Sequence, residues 1–244
     1  YQGIRKANLI LERIGECEDI STIDLRDFMG RAYFLRGYFY YKLVEAYGPV
    51  PIVPEQTFAP DEDVEKMTVE RASYADCIDY ICENFENAAG YLLNTRPAAE
   101  INLPTSGAAL AFLARVRLIA ASPWFNGNSF YADWKRSDGT HFIPQTYDAN
   151  KWALAAVAAK RVIYDTGDRY SLYTAPREAN TIALPANVST ADFPNGAGDI
   201  DPLRSYAYIF NGEVTPSTHP ELIYVCNYSH NGSDSPAWIA TPPH

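Results

Sequence analysis

The chain has 244 residues, 47% of them hydrophobic and 20% charged, which is enough apolar material for one large folded unit or two small ones with a real core. Its formal charge of −10 excludes partners that demand a basic face, namely nucleic acid and anionic membrane surfaces. Eighteen Tyr, eleven Phe and four Trp tilt it toward recognition, because a tyrosine can be apolar on one side and wet on the other.

Taken from the N-terminus, Ile4, Ala7, Leu11 and Ile14 recur at helical spacing and predict an amphipathic helix over about residues 2–16, ended by the polar run GECED. The next helix is ring-rich and covers Arg31 to Tyr47. On a helical wheel Phe28, Ala32, Leu35, Phe39, Leu43 and Ala46 form a narrow stripe, Phe34, Tyr38 and Tyr41 a second, and Tyr33, Tyr40 and Tyr47 a third. A helix apolar on most sides is surrounded by protein, so these tyrosines are expected mainly in the core. Gly37 should admit a neighbouring helix closely, and Gly48-Pro49 should end the element.

Thr68 to Leu93 carries a long stripe through Tyr74, Cys77, Ile81, Phe85 and Leu92, with Thr68 as its expected N-cap. A fourth helix is predicted from Ser106 to Ala121, stopped by Ser122-Pro123. A fifth runs from Ala149 to Asp165, with Asp148 as N-cap, Trp152, Ala156, Ala159 and Ile163 inward, and Gly167 at its end. After about residue 170 the texture turns loop-rich and proline-rich, with short strands expected at Ser205 to Phe210 and Leu222 to Tyr228. The expected organisation is mostly α: a scaffold of helical hairpins over 1–170, then a loop-rich, partly β excursion over 171–244.

Cys17, Cys77, Cys82 and Cys226 match no metal spacing, and Cys77 and Cys82, about 7.5 Å apart along a helix axis, cannot be bridged; buried free thiols are expected. Neither a metal nor a cofactor is called for. No apolar run reaches the length of a membrane span and no leader is evident, while a start inside a helix and an end without a closing element suggest a piece of a longer protein. Asp61, Glu62, Asp63, Asp199 and Asp201 are the visible acidic groups. Adjacent acids in Pro- or Gly-flanked loops are usually solvated, and Asp199 and Asp201 lack the remaining ligands of a calcium site. With no GxSxG, HExxH or phosphate loop, the chain is expected not to be an enzyme.

Four segments in order, YQGIRKANLILERI, RAYFLRGYFYYKLVEAYGPVPIV, TSGAALAFLARVRLIAASPWFNG and HPELIYV, together resemble the SusD/RagB family. Members of that family are longer, and their lipid-anchored N-terminal cysteine, first helices and C-terminal portion have no counterpart here. The resemblance implies tetratricopeptide-like helical hairpins in an outer-membrane, cell-surface lipoprotein without catalytic activity. Such a protein binds oligosaccharides, in some members peptides, and hands them to a SusC-like TonB-dependent transporter; membrane attachment comes only through the lipid anchor.

A neutral glycan offers no charge to grip, so its binder stacks rings on the apolar sugar faces and meets the hydroxyls with polar side chains or backbone groups. Rings in loops are therefore the informative ones. The candidate contacts are Trp124, Asn126, Tyr131 and Trp134, with Asn128 among them, between the fourth and fifth helices. In the loop-rich part they are Tyr206, Tyr208, Asn227, Tyr228 and Trp238, with His230. Each is set against the plainer role of core or loop anchor. The alternative function is a helical-repeat adaptor that binds only other proteins, with a glycosidase a remote third.

Overall fold

The computed structural model describes residues 1–225 except 57, 59, 60 and 217, with 66 and 67 described as backbone only. The chain forms two compact units, Tyr1–Arg96 with Leu103–Gly167, and Pro97–Asn102 with Asp168–His244. The first is helical. Its elements are α1 (Gln2–Arg13), α2 (Thr22–Tyr47), the single turn α3 (Val64–Met67), α4 (Tyr74–Tyr91), α5 (Ser106–Ala121) and α6 (Asn150–Tyr164). α1 packs on α2, α2 on α4, α4 on α5 and α5 on α6, each long helix burying its apolar stripe on its neighbours in chain order.

α1 is the helix the periodicity predicts, with Ile4 and Ala7 buried and a 3-10 turn over Ile14–Glu16 at its end. α2 starts well before Arg31, because the Ser21 hydroxyl accepts the Asp24 N–H at 3.1 Å and so satisfies one of the orphan donors of the first turn. Of its rings, Phe34, Tyr40 and Tyr41 are buried, Tyr33 and Tyr38 half-buried, and Tyr47 is exposed. The stripe that looked narrowest on the wheel is covered only in part: Ala32 is buried and Phe39 lies over Gly3 of α1, but Phe28 and Leu35 are exposed.

Phe34, Phe85 and Phe112 from α2, α4 and α5 meet with ring centroids 5.5 to 5.7 Å apart, a three-helix aromatic core. Gly37 lets α2 and α4 approach closely; a Cβ there would lie 3.2 Å from the Asn84 Cβ and 3.4 Å from the Phe85 ring. The Tyr40 hydroxyl accepts the Val53 N–H at 3.0 Å, tying the segment after α2 to the helix, and burial pushes its pKa up to about 12.

The two arginines of RAYFLRG are structural. Arg36 is buried and donates to Asn84 Oδ1 at 2.6 Å and Asn8 Oδ1 at 3.0 Å, with Glu55 3.1 Å away and the Tyr33 and Tyr80 rings beneath it at 5.3 and 5.5 Å. Arg31 donates to the buried Asp27, which also holds Arg96 in a two-pronged pair at 2.8 and 2.5 Å. Arg96 in turn donates to the Pro104 carbonyl, so one carboxylate ties α2 to the connection between α4 and α5.

Thr68 is not the N-cap of α4. It closes α3, its hydroxyl donating to the Val64 carbonyl, and α4 begins after Ser73, where Ser73 and Asp76 form a reciprocal capping box. α5 has the predicted bounds, capped by Thr105, with Ala108, Ala109, Ala120 and Ala121 buried in close helix contacts. On α6 the inward residues are Ala155 and Ala158, while Trp152, Ala156, Ala159 and Ile163 are exposed, contrary to expectation. The small pair lets α6 lie close on α5, which leaves its bulky residues outside. Asp148 accepts from the Asn150 N–H at 2.9 Å but is one residue before the true cap position, Ala149.

The second unit contains a two-stranded antiparallel ladder, β1 (Ala175–Pro176) against β2 (Ile200–Asp201), and then α7 (Pro202–Asn211). The strand expected at Ser205 to Phe210 is therefore a helix. Asp201 caps it by accepting the Arg204 N–H at 3.0 Å, Pro202 fills its first turn, and these start signals outweigh the β propensity of the two tyrosines. Leu222 to Val225 form no strand, and the rest of that predicted strand lies outside the described residues.

Cys77 and Cys82 are buried free thiols, whereas Cys17 is exposed because it follows the 3-10 turn on the surface; Cys226 is outside the described residues. Burial raises both inner thiols, Cys82 to about 12.

Candidate functional site

The connection from α5 to α6, residues 122–149, carries the candidate rings of the first unit. Its shape is fixed mainly by backbone hydrogen bonds from polar side chains. Asn126 is buried, and its amide donates to the Ala121 and Asp148 carbonyls at 3.3 and 2.9 Å while accepting the Asp148 N–H at 2.8 Å. This amide fastens the two ends of the loop together, so its bonding capacity goes to the scaffold. Gly127 follows at φ +82°, and a Cβ there would stand 2.6 Å from the Tyr147 nitrogen, so both conformation and space demand glycine. Gln145 donates to the Ile143 and Asn128 carbonyls, closing the next layer of the loop.

Asn128 links two exposed rings. Its amide donates to the Trp124 carbonyl at 3.2 Å and its oxygen accepts the Phe130 N–H at 3.0 Å, capping a 3-10 turn over Ser129–Tyr131. Trp124 is 63% exposed and Phe130 81%. From Phe130 the rings run on in contact: Phe130 to Tyr131 at 5.3 Å, Tyr131 to Trp134 at 6.1 Å, and Trp134 to Phe142 at 5.1 Å. Trp134 is the anchored member. It is half-buried, its edge lies against Gly48, and the Arg71 guanidinium sits 5.8 Å over its ring. Below it a short turn holds the Arg136 N–H on the Thr140 carbonyl, with Asp138 accepting the Thr140 N–H; that bond keeps the Asp138 carboxyl below its ordinary range.

The loop thus carries Trp124, Tyr131 and Trp134, of which Tyr131 and Trp134 touch, uses Asn126 as an internal fastener, and adds Phe130 and Tyr147, both exposed and both overlooked in the sequence. The signal for them was present: each is a ring in a loop whose position no helical period explains.

Tyr206 and Tyr208 belong to the second unit, on α7. Tyr206 is exposed and pairs edge-on with the exposed Phe210 at 5.2 Å, a contact between residues one helical turn apart, while Tyr208 is half-buried. Asn227, Tyr228, Trp238 and His230 lie outside the described residues. The acids of GDIDP stitch this unit. Asp201 is buried, accepting the Thr181 hydroxyl at 2.7 Å as well as the α7 N–H, and Asp199 accepts the Phe193 N–H at 2.8 Å. The backbone bond from Arg204 and then the Thr181 hydroxyl hold the Asp201 carboxyl low.

Long helices packed in chain order, with a fastened loop of outward rings between two of them, define a helical-hairpin scaffold protein. The family model described as "Starch-binding associating with outer membrane", a SusD-like model, matches residues 1–118. Over that stretch the chain is similar to the SusD-like family, in line with the resemblance carried by the motifs that lie within it. Among solved structures the chain is similar to BT4246, at 25% identity and a TM-score of 0.64 over 77% of this chain and 34% of that one. The selenomethionine form of BT4246 aligns over 95% and 39%, at 22% identity and a TM-score of 0.68. A SusD-like protein from Bacteroides fragilis NCTC 9343 aligns over 94% and 32%, at 20% identity and a TM-score of 0.61. No curated protein matches the sequence at a significant level. The chain spans about a third of the length of the solved structures it matches.

Proposed function

We propose that the protein binds oligosaccharide, or peptide, at the cell surface as an outer-membrane lipoprotein and passes it to a SusC-like TonB-dependent transporter. The observation that carries the reading is the presence of the exposed rings Trp124, Phe130 and Tyr147 on the fastened loop of residues 122–149, set on a scaffold whose matching family model is described as starch-binding and outer-membrane-associated. Rings fixed before the ligand arrives lose little freedom on binding, and a chain of net charge −10 suits a neutral ligand better than an anionic one. Covering about 100 Å² of an indole yields roughly 2.5 kcal/mol at about 25 cal/mol per Å². Two or three such contacts, less the cost of association, correspond to dissociation constants of about millimolar to micromolar. Weak binding suits a protein that must release its cargo.

The reading assigns no chemical step: Asp63 caps α3, and Asp199 and Asp201 hold the second unit together. Attachment to the membrane rests with a lipid anchor, and among the described residues no helix is long and apolar enough to cross a membrane. The test is affinity electrophoresis and calorimetry against a panel of neutral polysaccharides and their oligomers. A second reading, an adaptor for other proteins, is favoured by the exposed Trp152, Leu154, Val157 and Ile163 of α6. Protein capture without any saccharide binding would select it.

A further inference from the structure

Beside the exposed rings, the helical unit holds two adjoining hollows that share Tyr74 and Ile78 in their walls and include Phe125 and Asp148 of the loop of residues 122–149. One, of about 220 Å³, is apolar, framed by Val44, Val116, Ile119 and Phe125. An apolar cavity of about 150 Å³ is already enough to take a benzene ring. Tyr41 and Glu45 also line it and are engaged with each other, the hydroxyl donating to the carboxylate at 3.0 Å. The other, of about 160 Å³, has the charged side chains Asp79, Arg117, Asp148 and Lys151 around it.

Two groups here have bonding capacity to spare. Tyr74 is 2% exposed, its ring stacked on Phe125 at 4.2 Å, yet its hydroxyl has no hydrogen-bond partner among the described residues. With no protein acceptor, this hydroxyl is free to donate to a molecule held in the hollow. In the second hollow the charges are unevenly committed. Arg117 is paired with Asp79 at 3.0 Å, and Asp148 accepts the Asn150 N–H. Lys151 donates only to the Phe125 carbonyl, at 3.3 Å, and meets no carboxylate within ion-pair distance among the described residues. Burial draws its ammonium below the ordinary lysine range, against the weaker pull of Asp148 and Asp79. It also sits in the first turn of α6, whose dipole favours a negative charge at that end.

We propose that the two hollows form one binding site for a small carboxylate bearing an aryl or branched alkyl group. The apolar part fills the first hollow against Phe125, the carboxylate pairs with Lys151, and the Tyr74 hydroxyl donates to the ligand where the hollows meet. The site uses none of the exposed rings Trp124, Phe130 and Tyr147 and does not depend on the saccharide reading, since its ligand is anionic.

The probe is 3-phenylpropionate, titrated into the protein and followed by amide chemical shifts, with 2-phenylethylamine and 3-phenylpropanol as controls. Expected is saturable binding of the carboxylate in about the millimolar range, with shifts concentrated at the starts of α4 and α6 and along α5. Lys151→Gln should weaken it by about tenfold or more, and Lys151→Arg should retain most of it. Tyr74→Phe should weaken it about three- to tenfold while leaving the melting temperature unchanged or raised, because the hydroxyl it removes has no internal partner. Absence of saturable binding at about ten times the expected constant, equal binding of the amine, or unchanged affinity in both Lys151→Gln and Tyr74→Phe would overturn the proposal.

Discussion

Replacing Asp27 by Asn tests the claim that the first unit is tied together by one buried carboxylate. Asp27 is 3% exposed and accepts from Arg96 at 2.8 and 2.5 Å and from Arg31 at 2.8 Å, with the Leu93 N–H at 3.4 Å. The amide keeps the volume but offers one acceptor oxygen and no charge to two guanidinium groups, of which Arg96 is as buried as its partner. Breaking a buried pair in this way costs about 3–5 kcal/mol. For a unit of this size that is a fall of roughly 6–20 °C in melting temperature, at about 2–4 °C per kcal/mol. Burial alone would raise the Asp27 carboxyl, but the hydrogen bonds from Arg96 and then Arg31 prevail and hold it below its ordinary value. A depressed carboxyl contributes stability that is complete above its unfolded pKa of about 3.9 and is lost as pH falls through the folded value. Melting followed by far-ultraviolet circular dichroism from neutral pH down to about pH 3 should therefore show the wild type losing stability below about pH 4. The variant should be less stable at neutral pH and lose less on acidification. A variant that melts within about 2 °C of wild type at neutral pH, or keeps the full acid slope, would refute the reasoning.

Gly127→Ala forces a side chain into the left-handed region and against the Tyr147 backbone, and should cost about 1–3 kcal/mol while broadening the amide signals of the loop of residues 122–149; thermal melts and amide spectra check this. Of the described cysteines, Cys17 should react with a thiol reagent at once, and Cys77 and Cys82 only on the timescale of unfolding, since burial both shields them and raises their pKa. Mass mapping of the labelled sites over time reads this directly, and early modification of Cys82 would contradict the packing of α4.

The helices were legible where period, cap and stop agreed. α5 is the clearest case, with Thr105 before it, Ser122-Pro123 after it and an apolar run between. Which face of a helix is buried was less legible, because it depends on how many neighbours the helix has. The α2 wheel has three apolar stripes, and the number of rings alone could not tell that Phe28 and Leu35 would be exposed. On α6 the two alanines that touch α5 outrank Trp152 and Ile163, since close approach rewards small side chains over large ones. α7 was mistaken for a strand because Tyr206, Tyr208 and Phe210 have β propensity, although the start signal Asp201-Pro202 was in view. In the candidate site the loop rings were identifiable by type and place. The role of Asn126 was not, because only the folded loop brings the Ala121 carbonyl and the Asp148 backbone within its reach.

Saccharide binding by the rings of the loop between α5 and α6 is the central claim, and its most direct test is calorimetric titration of wild type and the Trp124→Ala/Phe130→Ala double variant with the polysaccharide found in the panel. Both side chains are mostly exposed, so their removal leaves the packing intact. Loss of roughly 2–4 kcal/mol, an affinity fall of about thirtyfold or more, with an unchanged melting temperature is the predicted result. Undiminished binding by the double variant would contradict the assignment of these rings as the ligand platform.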